Sequence, residues 1–216
     1  HLYVSNRAAE LLGKDIKELK VITAHLGNGC SMAAVKNGQS MDTTMGFTPL
    51  EGLLMGTRSG DLDPSLILYI MGKEGLTVGE ANTLLNKHSG LIGISGESSD
   101  MREILSAVKD NQQRSKWAFE IFCHRIKKYV GSYAAAMGGL DALVFTGGIG
   151  ENSKEIREEV CKEMEFLGIH LDDLKNQNAD EIISTENSKV KVMRIPTNEE
   201  LVIALDTAKI VSEMQK

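Results

Sequence analysis

Two periods of apolar residues follow one another along this chain. From Val21 to Leu26, Cys30 to Lys36 and Gln39 to Thr44, short β-prone runs read as strands. Between them lie Asn28-Gly29 and Asn37-Gly38, a dipeptide suited to tight hairpins because both residues tolerate positive φ. Three strands joined this way make an antiparallel meander. Before them, residues 5–13 carry a helical pattern stopped by Gly13, and Asp15 to Lys20 adds a further turn. After them the period lengthens to that of helices. A short helix is expected from Pro49 to Met55, closed by Gly56. Another should begin at Pro64 behind an Asp63 cap, reach about Met71 and end at Gly72. Thr77 with Glu80 forms a capping box for a helix to about His88. Gly90 to Ser99 reads as a Gly/Ser loop, and Asp100 with Glu103 caps a helix to about Val108.

The longest pattern runs from Ser115 to Met137. Trp117, Ile121, Phe122, Ile126, Tyr129, Val130, Tyr133, Ala136 and Met137 recur on one face, as core packing would require. Leu143 to Phe145 then reads as a buried strand, followed by Gly147, Gly148 and Gly150 in a turn. The next helix is expected to start at an Asn152 cap with Glu155 as its partner, to turn Ile156, Val160, Met164 and Leu167 inward, and to end at Gly168. Lys189 to Ile195 alternates as a strand. Thr197 and Glu200 box a last helix from Glu199 to about Met214. The order is three strands, several helices, then strand, helix, strand, helix. It predicts an α/β fold with a mixed five-stranded sheet flanked by helices. Without linker, repeat or low-complexity stretch, residues 1–216 read as one domain.

Composition adds exclusions. At 42% hydrophobic and 25% charged, the 216 residues can bury a substantial core. A formal charge of −6 disfavours nucleic-acid or anionic-membrane partners. No run approaches the ~18 apolar residues that a membrane span needs. Cys30, Cys123 and Cys161 are far apart and show no C-x-x-C spacing, so reduced thiols in a cytoplasm are expected rather than a zinc site or disulfides. His88, His124 and His170 show no ligand spacing with one another. The chain opens without Met on the approach to a helix, as a piece of a longer protein would.

Candidate chemistry lies in loops. In open α/β sheets, ligands sit beyond the carboxyl ends of strands. His25-Leu26-Gly27-Asn28-Gly29 offers backbone N–H groups to phosphate oxygens, or is a plain hairpin. Gly148-Ile149-Gly150-Glu151-Asn152 follows a strand and opens a helix, where phosphate is favoured; a tight strand-to-helix turn explains it equally well. It matches neither G-x-G-x-x-G nor the Walker pattern. Arg58 lies between Gly56 and Gly60, free to neutralise a transferring phosphoryl group or else to bridge Asp61 or Asp63. Asp100-Met101-Arg102 opens a helix, with Asp100 as cap. Glu199, which the capping box leaves over, is the freer carboxylate for Mg²⁺.

Four strings together resemble the acetate kinase (acetokinase) family: His25 to Gly29, Met55-Gly56-Thr57-Arg58-Ser59-Gly60-Asp61-Leu62-Asp63-Pro64, Thr146 to Asn152, and Pro196-Thr197-Asn198-Glu199-Glu200-Leu201. They stand in the family's order. The resemblance implies a ribonuclease-H-like domain of the sugar kinase, Hsp70 and actin superfamily. It also implies reversible phosphoryl transfer from ATP to acetate, giving acetyl phosphate and ADP, with Mg²⁺, in a cytoplasmic homodimer. Carried over by position, His25 to Gly29, Asp100 to Arg102 and Gly148 to Asn152 would touch nucleotide. Arg58 would stabilise the transferring phosphoryl group, and Glu199 would be the metal-associated carboxylate, with Glu200 its neighbouring alternative. Family members are far longer. His1 resembles the end of the family's Gly-Thr-Ser-His string, with the catalytic histidine just upstream, so this chain is expected to be the carboxy-terminal, nucleotide-binding half, with little or no kinase activity alone. Propionate or butyrate kinase, or an actin-like nucleotide-binding module without chemistry, are the alternatives.

Overall fold

The computed structural model describes residues 1–214, without the side chains of residues 205, 206 and 209. Strands β1 (Lys20–Leu26), β2 (Cys30–Lys36), β3 (Gln39–Thr43), β4 (Ala142–Thr146) and β5 (Lys191–Arg194) form one sheet in the order β3-β2-β1-β4-β5. The first three are the expected meander. Asn37 and Gly38 both take positive φ, 56° and 77°, as the mirror-image hairpin turn requires. Strand β1 runs antiparallel to β2 and parallel to β4, which runs parallel to β5. The parallel pairs place His25 opposite Thr146 and Phe145 opposite Arg194, so three strands end at one edge.

Helix α1 (Leu2–Leu12) covers one face, setting Val4 and Ala8 against Val21, Val144 and Met193. Gly13 ends it in the left-handed region, as expected. Helices α2 (Pro64–Glu74), α3 (Val78–Lys87), α4 (Gly90–Ser95) and α5 (Met101–Lys109) lead to α6 (Gln113–Met137) on the opposite face. There Phe122, Ile126, Val130 and Met137 pack with Ile22, Leu143 and Phe145. Each such side chain contributes about 1.5–3 kcal/mol when fully buried. Covered on both sides, β4 is buried along its whole length, which accounts for its unbroken apolar run. Helices α7 (Gly147–Asn152), α8 (Lys154–Cys161), α9 (Asp173–Asn178) and α10 (Glu199–Met214) complete the order.

Several local expectations are corrected. Residues 49–55 form turns rather than a helix. Gly52, at φ 100°, lies so close to Thr44 that a Cβ would sit 2.1 Å from its carbonyl oxygen. Helix α2 runs through Gly72 and stops at Gly75, which takes φ 68°. Gly90 to Ser95, expected as loop, is α4. On α6, Trp117 and Ile121 are 50% and 41% exposed and Ala136 also faces outward. The buried residues are Ser115, Ala118, Phe122, Cys123, Ile126, Val130, Tyr133, Ala134 and Met137, a face turned away from Trp117 and Ile121. Lys189 to Ile195 contracts to β5. Met164 and Leu167 lie beyond the end of α8, Leu167 in a short 3-10 turn.

Candidate functional site

The turn after β4 is itself helical. Gly147, at φ 76°, swings the chain out of the strand directly into α7. Asn152 is therefore the last residue of α7 and not an N-cap; Ser153 caps α8, its Oγ accepting from Ile156 N at 3.3 Å. Glu151 folds back over α7, and its Oε1 accepts from Gly147 N at 2.9 Å. The same oxygen accepts from Thr197 N at 3.0 Å. That contact holds Thr197 away from the expected capping box, and Asn198 Oδ1 instead accepts from Leu201 N at 3.0 Å.

Glycines bring the loops into contact. A Cβ on Gly147 would sit 2.8 Å from Leu26 O and 3.1 Å from His25 Cδ2, so only glycine lets α7 close onto the end of β1. Gly56 N donates to Asn28 O at 3.0 Å, and a Cβ there would fall 2.0 Å from Asn28 Oδ1. The loop bearing Arg58 thus lies against the β1–β2 turn. Amides at the start of α4 fasten it from behind: Leu91 N donates to Met55 O at 2.9 Å and Ile92 N to Gly56 O at 3.0 Å.

Beside these contacts opens a cleft of about 550 Å³. Its walls are Gly27 and Asn28, then Ser99, Asp100, Met101, Arg102 and Leu105, and on the far side Gly148, Ile149, Asn152, Ser153 and Glu155. The size and the mixture of apolar and polar lining are those of a small-molecule site. His25, Leu26, Gly29, Gly150 and Glu151 stand behind the walls rather than in them. Leu26 is core, Gly29 closes the turn by accepting from Gly27 N at 3.1 Å, and Gly150 packs on Phe145. Ser99, Leu105 and Ser153 were not expected here from sequence, and Glu155 was expected only as a capping partner. Leu105 lies one helical turn beyond Met101, the spacing that could have found it.

Arg58 is half-buried on the neighbouring loop, outside the lining. Its Nη1 donates to Pro49 O at 3.3 Å. Neither acid near it in sequence is its partner. Asp61 is 3.2 Å from Arg125, accepts from the Tyr129 hydroxyl at 2.5 Å and accepts from Gly52 N at 2.8 Å. Asp63 caps α2 through Ser65 N at 2.9 Å. Among the described residues Arg58 has no carboxylate in ion-pair range. Arg102 is 91% exposed and pairs with Asp100 at 2.5 Å. The hydrogen bond from Arg102 holds the Asp100 carboxyl below its usual range. So open a pair contributes little to stability. Glu199 is exposed at the start of α10, and no three His, Cys, Asp or Glu side chains among the described residues gather as a metal-holding group. Burial pushes the Cys30 thiol up to about 12, so it is no nucleophile at neutral pH.

A three-stranded meander extended by two parallel strands, with helices on both faces, is the arrangement of the sugar kinase, Hsp70 and actin superfamily. Within it the chain belongs to the acetokinase family, whose profile matches residues 1–205. An acetate kinase of Thermoanaerobacter pseudethanolicus is 58% identical over 218 residues, covering 100% of this chain and 54% of that protein. The acetate kinase of Carboxydothermus hydrogenoformans is 57% identical over 98% of this chain and 53% of its own length. The crystal structure of Porphyromonas gingivalis acetate kinase superposes with a TM-score of 0.96 at 52% identity, covering 98% of this chain and 54% of that one. A propionate kinase from Francisella tularensis gives 0.89 at 50% identity, covering 94% and 52%. The chain spans about half the length of the relatives it matches.

Proposed function

We propose that residues 1–216 are the carboxy-terminal, nucleotide-binding domain of an acetate kinase, which transfers a phosphoryl group reversibly from ATP to acetate to give acetyl phosphate and ADP. The observation that carries this reading is the meeting of Gly27–Asn28, Asp100–Arg102 and Gly148, Ile149 and Asn152 around one cleft, with the guanidinium of Arg58, free of acidic partners among the described residues, on the adjoining loop. In this reading Met101, Leu105 and Ile149 give a flat base its apolar contact. Backbone groups of the glycine turns take the phosphates. The arginine neutralises charge as the phosphoryl group moves, and the buried thiols have no part. Such a transfer needs positioning and charge neutralisation more than covalent chemistry.

Mg²⁺ fits as an ion carried by the nucleotide. Without the expected capping box, Glu199 and its neighbour Glu200 are both exposed at the start of α10, and either suits a cation whose other ligands are phosphate oxygens and water. Bound there it would offset phosphate charge. The likeness to a propionate kinase at 50% identity supports propionate as a neighbouring acyl acceptor, with butyrate beyond it. A homodimer is part of the proposal, and Leu66, Leu68 and Tyr69, 48%, 68% and 64% exposed on α2, support a self-association face. No described helix is long and apolar enough to cross a membrane, and the proposed compartment is the cytoplasm.

Calorimetric titration of this 216-residue chain with ATP and ADP, with and without Mg²⁺, tests the reading alongside a hydroxamate assay for acetyl phosphate. Nucleotide binding without turnover is expected. Full turnover by this chain would overturn its assignment as a half, and no nucleotide binding would overturn the cleft.

A further inference from the structure

Behind the cleft lies a buried arginine that the roles above leave unused. Arg157 on α8 is 1% exposed. Its Nη1 donates to Gly150 O and Glu151 O, both at 2.9 Å. Its Nε donates to Asn176 Oδ1 at 2.7 Å and its Nη2 to Asn176 O at 3.1 Å. Asn176, on α9 and 3% exposed, donates from Nδ2 to Lys154 O at 3.1 Å. No carboxylate pairs with this guanidinium among the described residues; its compensation is carbonyl dipoles. Burial lowers its pKa to about 10, with nearby Arg194 adding to the effect, so it stays charged at neutral pH.

The carbonyls it holds matter because of where they are. They belong to the last turn of α7, where only Ser153 separates α7 from α8 and the backbone ladder cannot continue. Nη1 alone holds both carbonyls while Nε and Nη2 hold Asn176, so one rigid guanidinium ties α7 to α9, a span that the single nitrogen of an ammonium would not bridge. The same short helix presents Gly148, Ile149 and Asn152 to the cleft.

We propose that Arg157, braced by Asn176, is a positioning residue for nucleotide binding: it sets the depth at which α7 stands in the cleft. The proposal rests on the nucleotide reading of that cleft. The experiment uses this chain and its Arg157→Met, Arg157→Lys and Asn176→Ala variants, each held well below its unfolding temperature. Amide hydrogen exchange over residues 147–153 is measured without nucleotide, and ADP affinity by titration. Arg157→Met is expected to speed exchange in α7 at least about tenfold while β1 and β4 stay protected, and to weaken ADP binding by about tenfold or more. Arg157→Lys, keeping charge but not the fork, should fall between, as should Asn176→Ala, which keeps the arginine. A lowered unfolding temperature with α7 exchange and ADP affinity unchanged would overturn the proposal. If even the unsubstituted chain bound no ADP, the nucleotide reading would fail, and the exchange measurement would still decide whether Arg157 sets α7.

Discussion

Arg58 lies on a loop that touches the β1–β2 turn and Arg157 on the helix that grips α7, and among the described residues neither has a carboxylate partner. Their surroundings differ completely. Arg157 is buried and places three of its nitrogens on four carbonyl-type oxygens. Arg58 is half-buried, and its guanidinium has one carbonyl at 3.3 Å and the Met55 sulfur at 3.5 Å. The supports of its loop are elsewhere, in Asp61 with Arg125 and Tyr129. One arginine is spent on holding the backbone in place. The other is held in place by its neighbours and left with its charge available. Where a fold supplies a cation with everything but a counter-charge, that counter-charge is expected from a ligand.

The comparison breaks most visibly in kinetics. In an intact two-domain enzyme carrying this sequence, Arg58→Ala should lower kcat on the order of 10³-fold. It should leave stability within about 0.5 kcal/mol, since among the described residues the side chain makes no ion pair and only two long contacts, to the Pro49 carbonyl and the Met55 sulfur. An unchanged kcat would remove Arg58 from phosphoryl transfer. Arg157→Met should behave the opposite way, costing about 3 kcal/mol in urea unfolding because buried carbonyls lose their donors. A cost below about 0.5 kcal/mol would mean that those carbonyls find other partners. A smaller effect is expected at Asp61→Asn, which loosens the Arg58 loop without touching the cleft. A roughly tenfold fall in kcat at unchanged ADP affinity would sharpen the distinction between support and ligand contact. An equal loss of ADP affinity would blur it.

The smallest effect concerns the thiols. Burial raises the pKa of Cys30 and Cys161 from 9.0 to about 12, and raises that of Cys123 also. Between those values the folded chain keeps protons that the unfolded chain has released. Stability from these groups is therefore complete below pH 9.0 and declines as pH rises toward about 12. At pH 8 none of the three should react with a thiol reagent before unfolding. Rapid labelling of the native chain would show that the packing of β2, α6 or α8, whichever carries the labelled thiol, is more open than described.

How much of this was legible in sequence depended on how local the cause was. The meander, the Asn37-Gly38 turn, the Asp63 cap and the Thr77–Glu80 box follow from residues a few positions apart, and all are present. Asn28-Gly29 instead belongs to a three-residue connection, Gly27 to Gly29, in which neither takes positive φ. Failures came where a distant contact decided the outcome. Gly90 looked like loop until the Met55 and Gly56 carbonyls gave α4 its acceptors. Thr197 looked like a cap until Glu151 claimed it. Trp117 and Ile121 share the spacing of the α6 core residues but fall outside the arc that meets the sheet. Helix α9 went unseen, since a six-residue polar stretch has little apolar period of its own. Nor does anything within its own helix mark Arg157 as buried, since Asn176 and the end of α7 come to it only through the fold. The glycine turns of the cleft were legible because close approach needs glycine, whereas Ser99, Ser153 and Glu155 join the walls only through the fold.

The account stands on several separate turns serving one ligand. ¹H–¹⁵N correlation spectra of this chain, recorded during an ADP titration, test that directly. Amides of Gly27–Gly29, Asp100–Arg102 and Gly148–Asn152 should shift together, along curves that give a single Kd, while those of α2 and α3 stay fixed. Shifts confined to one of the three segments, or centred on α2 and α3, would contradict it.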